Sequence, residues 1–304
     1  MPELPDITLY IEALEERVRN HVLESVSIGS PFLLRTAEPP LAELFGKRIT
    51  QFRRLGKRIA LGFENDHWIV LHLMIAGRLH WFPKGTRRSG RRALAVFEFD
   101  NGALTLTEAG TQRRASMHVV RGTDELRAYE RAGLEVLDSS LAEFSTRLRS
   151  RNHTLKRALT DPQLFSGIGN AYSDEILHAA KLSPVVHTQR LANDEIVRLH
   201  RATVEVLRRW TEQLRRDASG GFPEGVTAFR KGFSVHGRFG QPCPVCGTKV
   251  QRIRYASNET NYCPRCQTDG RVLADRSLSR LLKDDWPRSI EEMEQAEEGR
   301  RSGR

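Results

Sequence analysis

Cys243-Pro244-Val245-Cys246, answered by Cys263-Pro264-Arg265-Cys266, contains every cysteine of the chain as two C-x2-C pairs with sixteen residues between them. Tetrahedral zinc needs four thiolates at one point, and two tight turns joined by a hairpin deliver that geometry. Pro242, Pro244, Gly247 and Pro264 are the turn residues that such knuckles use. The competing reading is a pair of redox disulfides, which belongs with a βαβ setting absent from the flanking sequence. The spacing favours one structural Zn2+ on Cys243, Cys246, Cys263 and Cys266, since four filled positions leave none for a water. Arg230, Lys231, Arg238, Lys249, Arg252, Arg254, Arg265 and Arg271 cluster near the pairs, so the hairpin is expected to face phosphate rather than act as a neutral clip.

Upstream of the finger the apolar period is that of a helix. Leu141 to Leu148, Leu155 to Leu159, Ala171 to Lys181 and Asp194 to Leu214 read as amphipathic helices, until Gly220-Gly221-Phe222-Pro223 breaks the last one. Gly167-Ile168-Gly169-Asn170 lies between two of them, with Asn170 as the expected N-cap. Such a turn offers backbone N–H groups to a phosphate, and it serves equally as a plain packing device. Further upstream come short apolar runs: Val22 to Ile28, Lys57 to Phe63, Trp68 to Leu73, Leu94 to Phe99 and Leu104 to Thr107. Asn65-Asp66, Pro83-Lys84-Gly85 and Asp100-Asn101-Gly102 punctuate them as hairpin turns, so residues 20 to about 125 are expected to be mostly strand. Ile7, Tyr10, Ile11, Leu14 and Val18 predict a leading helix with Asp6 as its N-cap. The fold class is α+β.

A chain of 304 residues is large enough for two or three globular units. Forty-eight Lys and Arg against 38 Asp and Glu give a net charge of +10, a balance that favours a polyanion as partner. Apolar stretches such as Trp68 to Leu71 are far too short to cross a bilayer, and the first residues have neither a basic start nor a long apolar run. A cytoplasmic, bacterial-type, nucleoid-associated address and no membrane partner are expected. The tail from about Ser289, with Glu291, Glu292, Glu294, Glu297 and Glu298, reads as solvated or disordered, and Leu278, Leu281, Leu282 and Trp286 before it have helical spacing.

Met1-Pro2-Glu3 carries the sharpest chemistry. Removal of Met1 makes Pro2 a secondary amine with a pKa near ~8, partly neutral at pH 7. Such an amine can attack a sugar aldehyde carbon and form an iminium cation that serves as an electron sink, with Glu3 beside it as general acid and base. Alternatively, Pro2 and Pro5 merely stiffen the start of the chain.

Met1-Pro2-Glu3-Leu4-Pro5, Arg53-Arg54-Leu55-Gly56-Lys57, His72-Leu73 with Ala76-Gly77-Arg78-Leu79, the Gly167 to Asn170 turn, His236-Gly237-Arg238 and the four-cysteine finger together resemble the formamidopyrimidine-DNA glycosylase and endonuclease VIII family over about residues 1 to 267. The resemblance implies an N-terminal catalytic β-sandwich with a leading helix (1–125), a helix-two-turn-helix DNA-binding domain (126–222), a zinc finger (223–270) and a C-terminal extension that is partly disordered (271–304). It implies a bifunctional glycosylase and AP lyase of base excision repair, working as a monomer on damaged DNA held between the domains. Pro2 would be the Schiff-base nucleophile and Glu3 the proton donor to the sugar. Lys57 would aid catalysis and contact phosphate, and Asp6 would stand where the family usually has glutamate. Asn170, Lys156, Arg113, Arg114 and Arg238 would contact DNA.

The departures from the family bear on substrate. Asn258 stands where the family finger has a phosphate-gripping arginine, which weakens the expectation of a second (δ) elimination. Ile75 replaces the methionine that fills the hole left by a flipped base, with Met74 at a usual glycine. No aromatic follows Arg113 and Arg114, and the Gly225 to Gly237 segment is short beside the lesion-capping loop of 8-oxoguanine enzymes. Oxidised pyrimidines or abasic sites are therefore expected over 8-oxoguanine; the alternative is a damaged-DNA-binding protein of the same fold with reduced or no glycosylase activity.

Overall fold

The computed structural model describes residues 1–86, 93–109, 113–226, 230–255, 258–274 and 287–295. Helix α1 (Leu4–Val18) has Pro5 in its first turn, where the missing N–H is harmless and the fixed φ suits the helix. Glu3, not Asp6, is the N-cap. Pro5 lets the helix begin before Asp6, whose carboxylate then reaches back to accept the Glu3 N–H at 2.8 Å. Ile7, Tyr10, Leu14 and Val18 recur on one face of α1 and are fully buried.

Eight strands follow: β1 (Val22–Ile28), β2 (Lys47–Leu55), β3 (Arg58–Phe63), β4 (His67–His72), β5 (Gly77–Pro83), β6 (Ala93–Phe99), β7 (Gly102–Glu108) and β8 (Ser116–Arg121). They form one sheet in the order β5-β7-β6-β1-β2-β3-β4-β8, antiparallel throughout. The β1 to β2 junction is only two residue pairs wide. The sheet accordingly divides into two four-stranded halves. Ile59, Leu61, Ile69, Leu71, Met117 and Val119 of one half share a core with Leu79, Phe97, Leu104 and Leu106 of the other and with the inner face of α1. That shared core is the expected sandwich. β3 and β4 read as unbroken apolar runs because both their faces are buried: Ala60, Trp68 and Val70 point away from this core, into a cluster with Val120 and with Leu126 of α2 (Gly122–Arg127).

The helical elements after residue 133 are α3 (Leu141–Arg149), α4 (Leu155–Thr160), α5 (Asn170–Ala179) and α6 (Asn193–Ala218). Ser140 and Glu143 cap α3 reciprocally, a capping box. The first turn of α4 donates Leu155 N–H to Val186 O and Lys156 N–H to Pro184 O, so its orphan donors are satisfied by backbone. The finger contributes the hairpin β9 (Gln251–Tyr255) and β10 (Asn258–Tyr262), then α7 (Pro264–Thr268).

Among the described residues there are two compact units, Met1–Gly133 with Arg208–Ala228, and Leu134–Leu207 with Phe229–Arg304. In the first unit Arg215 grips Glu12 of α1 with two hydrogen bonds, at 2.9 and 2.6 Å, and Phe222 lies 5.9 Å from the Tyr10 ring. In the second, the start of the C-terminal extension folds back. Val272 N–H donates to Arg288 O, Ile290 N–H donates to Gly270 O, and the Tyr262 hydroxyl accepts Leu273 N–H at 2.7 Å. Ile290 and Met293 are buried while Glu291, Glu292 and Glu294 face out, so the tail is solvated on one face only up to residue 295. Leu278, Leu281, Leu282 and Trp286 lie outside the described residues.

Candidate functional site

In the first unit the amino terminus gathers the expected catalytic residues. Pro2, Glu3 and Asp6 are buried. Burial holds the Met1 amine below its usual pKa; Glu3 and Asp6 oppose that shift, while Arg78 and Lys57 reinforce it. Lys57 sits in the turn between β2 and β3, where Gly56 has φ +63 and the Arg54 guanidinium donates to Gly56 O at 3.1 Å. The turn is thereby fixed from within its own motif. Burial, then the positive charges of Arg58 and Lys57, push the His72 imidazole down to about 4, so it is neutral at physiological pH. An amine in such surroundings keeps a larger neutral, nucleophilic fraction than one in water. Arg78 was legible only as part of a motif; its placement beside the amino terminus is a property of the fold.

Ile75 stands at the tip of the link between β4 and β5, 60% exposed. The tip is a closed turn in which Gly77 N–H donates to Leu73 O at 2.9 Å, and a Cβ at Gly77 would lie 2.2 Å from that same oxygen. Met74 adopts φ +52, the left-handed region, which suits glycine and costs a residue with a side chain about 1–2 kcal/mol. Arg113 and Arg114 are exposed, and the Glu108 carboxylate accepts the Arg114 and Ala115 N–H groups. Residues 110–112 of that loop and 227–229 lie outside the described residues.

In the second unit one face of α5 organises everything around it. Gly169, in extended conformation, is the N-cap, and Asn170 is the first helical residue rather than the cap. The Asn170 amide is used elsewhere: Nδ2 donates to Glu259 O of β10 at 2.8 Å. One turn on, Asp174 is fully buried and accepts from Lys156 Nζ at 2.5 Å, His236 Nδ1 at 2.7 Å and Asn261 N–H at 3.1 Å. Lys156 Nζ also donates to Asn170 O at 2.6 Å, so Lys156 and Asn170 are held as a pair. Beside Asp174, Glu175 accepts the N–H groups of Ser234, Val235 and His236 at 2.7 to 3.0 Å. Asp174 thus holds Lys156, the His236 ring and the Asn261 N–H, while Glu175 holds the 234–236 backbone. Asp174→Ala is expected to destabilise the second unit by about 3–5 kcal/mol, because it strands a nearly buried lysine. Chemical denaturation with a probe in this unit measures it, and a loss within experimental error would show that Asp174 is not its organiser.

The finger brings the four cysteines together. All four are free thiols, with Cys243 Sγ 4.0 Å from Cys266 Sγ and Cys246 Sγ 3.4 Å from Cys263 Sγ. Zinc–sulfur bonds of about 2.3 Å in a tetrahedron put sulfurs about 3.8 Å apart, so these separations fit an ion at the centre and exclude a disulfide bond. Each knuckle closes on its own backbone: Gly247 N–H donates to Cys243 O, and Gln267 N–H donates to Cys263 O. His178 of α5 lies with Nε2 3.3 Å from Cys243 Sγ, in a group with Cys243, Cys263 and Cys266 whose donor atoms are all within 4.8 Å of one another, and burial pushes its imidazole down to about 4.

Three of the arginines expected to face phosphate have other occupations here. Arg238 donates to Phe233 O at 3.0 Å and to Pro242 O at 2.9 Å, which braces the base of the finger. Arg254 and Arg252 both reach Glu259 Oε2, at 3.4 and 3.3 Å, so the positive face of the hairpin contains its own counter-ion. Asn258 opens β10 opposite Tyr255. Among the described residues no helix is long and apolar enough to cross a membrane.

Three family domains match in succession: the formamidopyrimidine-DNA glycosylase N-terminal domain over residues 1–117, its H2TH domain over 133–219, and the zinc finger found in FPG and IleRS over 240–268. A formamidopyrimidine-DNA glycosylase of Desulforamulus reducens is 31% identical over 280 residues, covering 88% of this chain and 99% of the relative. An uncharacterized formamidopyrimidine-DNA glycosylase-like protein of Mycobacterium tuberculosis is 41% identical over 162 residues, 53% of this chain and 99% of its own. Among solved structures, a complex of Lactococcus lactis Fpg with abasic-site DNA aligns with TM-score 0.77 at 25% identity, over 88% of this chain and 99% of that one. A complex of the same Lactococcus lactis protein with DNA containing an oxidised pyrimidine aligns with TM-score 0.76 at 26% identity, over 88% of this chain and 100% of that one. With three domains of one family matched in succession and a relative 31% identical along 99% of its length, the chain belongs to the formamidopyrimidine-DNA glycosylase family of DNA repair enzymes.

Proposed function

We propose that this protein is a bifunctional DNA glycosylase and AP lyase that acts through a Schiff base on Pro2, as a monomer on damaged DNA in the cytoplasm. The observation that carries the reading is the buried Pro2-Glu3 pair at an amino terminus whose amine is influenced by Lys57 and Arg78. Once Met1 is removed, the Pro2 nitrogen attacks the anomeric carbon. A nitrogen–carbon bond forms as the bond to the damaged base breaks, and Glu3 supplies a proton to the sugar as its ring opens. The resulting iminium withdraws electrons, so a proton lost from the neighbouring carbon expels the 3′ phosphate. Lys57 and Arg78 offset the negative charge of the flanking phosphates, and in the second unit Lys156 and Asn170 contact the backbone as hydrogen-bond donors through the N–H groups that Asp174 and Glu259 leave over. Ile75 fills the space that the flipped nucleotide vacates, a step whose cost damaged pairs lower.

Preferred substrates are abasic sites and oxidised pyrimidines. Support comes from Ile75 on its strained tip, from the absence of an aromatic after Arg113 and Arg114, and from Asn258 in the arginine position of the finger. Solved complexes of the Lactococcus lactis relative hold abasic-site DNA, an oxidised pyrimidine and Fapy-dG alike, so the choice rests on this chain's own residues. The test is a panel of duplexes carrying an abasic site, a saturated pyrimidine or 8-oxoguanine, read by single-turnover incision. Abasic and pyrimidine duplexes are expected to be cut at least about tenfold faster than 8-oxoguanine, the discrimination that about 1.4 kcal/mol of transition-state binding provides. β-elimination ends should predominate over δ. Fastest cutting at 8-oxoguanine would overturn the substrate assignment, and tight binding without incision of any duplex would favour a damage-binding protein.

A further inference from the structure

Asn170, Asp174 and His178 lie at i, i+4 and i+8 on α5, which places all three on one stripe of the helix. Every one of them bonds to the finger region: Asn170 to Glu259 O, Asp174 to Asn261 N–H, and His178 to Cys243 Sγ. The first two contacts meet the β10 strand, whereas the third reaches a metal-ligating sulfur. His178 is 6% exposed, and its Nε2 lies 3.3 Å from that sulfur, within the range of a hydrogen bond to sulfur. A thiolate bound to a cation has no proton to give, so the imidazole must be the donor through Nε2–H.

We propose that His178 is a positioning residue of the zinc centre: its Nε2–H donates to the Cys243 thiolate, orients that ligand, and ties the finger's metal to the helix that begins with Asn170. The His178 nitrogen lies within 4.8 Å of the Cys243, Cys263 and Cys266 sulfurs, in a group that does not include Cys246; with Cys246 Sγ 3.4 Å from Cys263 Sγ the two C-x2-C pairs still offer four thiolates, so the imidazole takes the role of donor to sulfur rather than of ligand. The hydrogen bond disperses charge on one of four thiolates, which otherwise repel each other around a single divalent ion. About 12 Å of helix, eight residues at 1.5 Å each, then links the metal to the phosphate-side turn.

The test compares the full-length wild type with His178→Phe, which keeps a buried ring without a donor, and His178→Gln, which keeps a donor. Zinc affinity is measured by competition with a chromogenic chelator. His178→Phe is expected to lower affinity about 10- to 100-fold, the usual effect of losing a group that supports a metal ligand, with His178→Gln recovering most of it. Cobalt substitution reads the ligand set: the wild type and His178→Phe should both show four-thiolate absorption, with the charge-transfer band shifted in the variant. Cadmium-113 loading of the wild type needs no variant, and it should show scalar coupling between the metal and the His178 Hε2 proton across the N–H···S bond. An affinity for His178→Phe equal to wild type, a three-thiolate, one-nitrogen cobalt spectrum in the wild type, or no coupling to Hε2 would each overturn the proposal.

Discussion

Glu3→Gln is expected to slow base excision by about 10²–10⁴-fold, the range that a positioned general acid contributes, while affinity for an abasic-site duplex stays close to wild type. Glu3 is buried at the N-cap of α1, where its backbone N–H is taken by Asp6, so an amide of the same shape can occupy the position without unfolding the helix. What the amide cannot do is give and retrieve a proton. Single-turnover kinetics on a duplex with an oxidised pyrimidine, alongside binding to an uncleavable abasic analogue, separates the two quantities. Unchanged excision in Glu3→Gln would remove Glu3 from the reaction. Equal losses of binding and turnover would instead mark it as structural.

Removal of zinc is expected to unfold the finger and, with it, to weaken DNA binding. The apolar content of the finger is small: Val235, Cys243, Val250 and Cys263 form its buried cluster, with Cys246 and Cys266 packed against them. A core of that size does not hold a hairpin alone, and structural zinc contributes about 10–16 kcal/mol of apparent binding free energy to comparable fingers at pH 7. Cys263→Ser or treatment with a strong chelator should therefore make the 240–268 region sensitive to limited proteolysis. It also leaves Asn170 and Asp174 without their β10 partners, so the Lys156 and Asn170 pair loses its frame. A metal-free protein with an intact finger and full DNA affinity would contradict this.

Some of the architecture was legible from residues alone. The unbroken apolar runs of β3 and β4 and the hairpin turns between strands reflect burial on both faces and the backbone needs of tight turns, which are local in sequence. The four cysteines likewise advertise their geometry by spacing. Cap positions were displaced by one or more residues for equally local reasons: Pro5 allowed α1 to start ahead of Asp6, and Gly169 took the extended position before Asn170. The α5 stripe was not legible, because Asn170, Asp174 and His178 at four-residue spacing look the same as a solvated helix face until the finger is placed against them. Arg238 illustrates the converse. An arginine in a basic cluster reads as a phosphate ligand, and nothing in its neighbours reveals that two backbone carbonyls, Phe233 O and Pro242 O, wait at its fork.

In the proposed reaction the Pro2 nitrogen becomes covalently bound to the sugar. Borohydride trapping of the Met1-processed protein on an oligonucleotide with one abasic site, followed by peptide mass spectrometry of the adduct, tests it directly. The expected result is a reduced cross-link on the Pro2 nitrogen, absent from protein that retains Met1, where that nitrogen is an amide. A cross-link at a lysine, or none at all while the DNA remains bound, would contradict it.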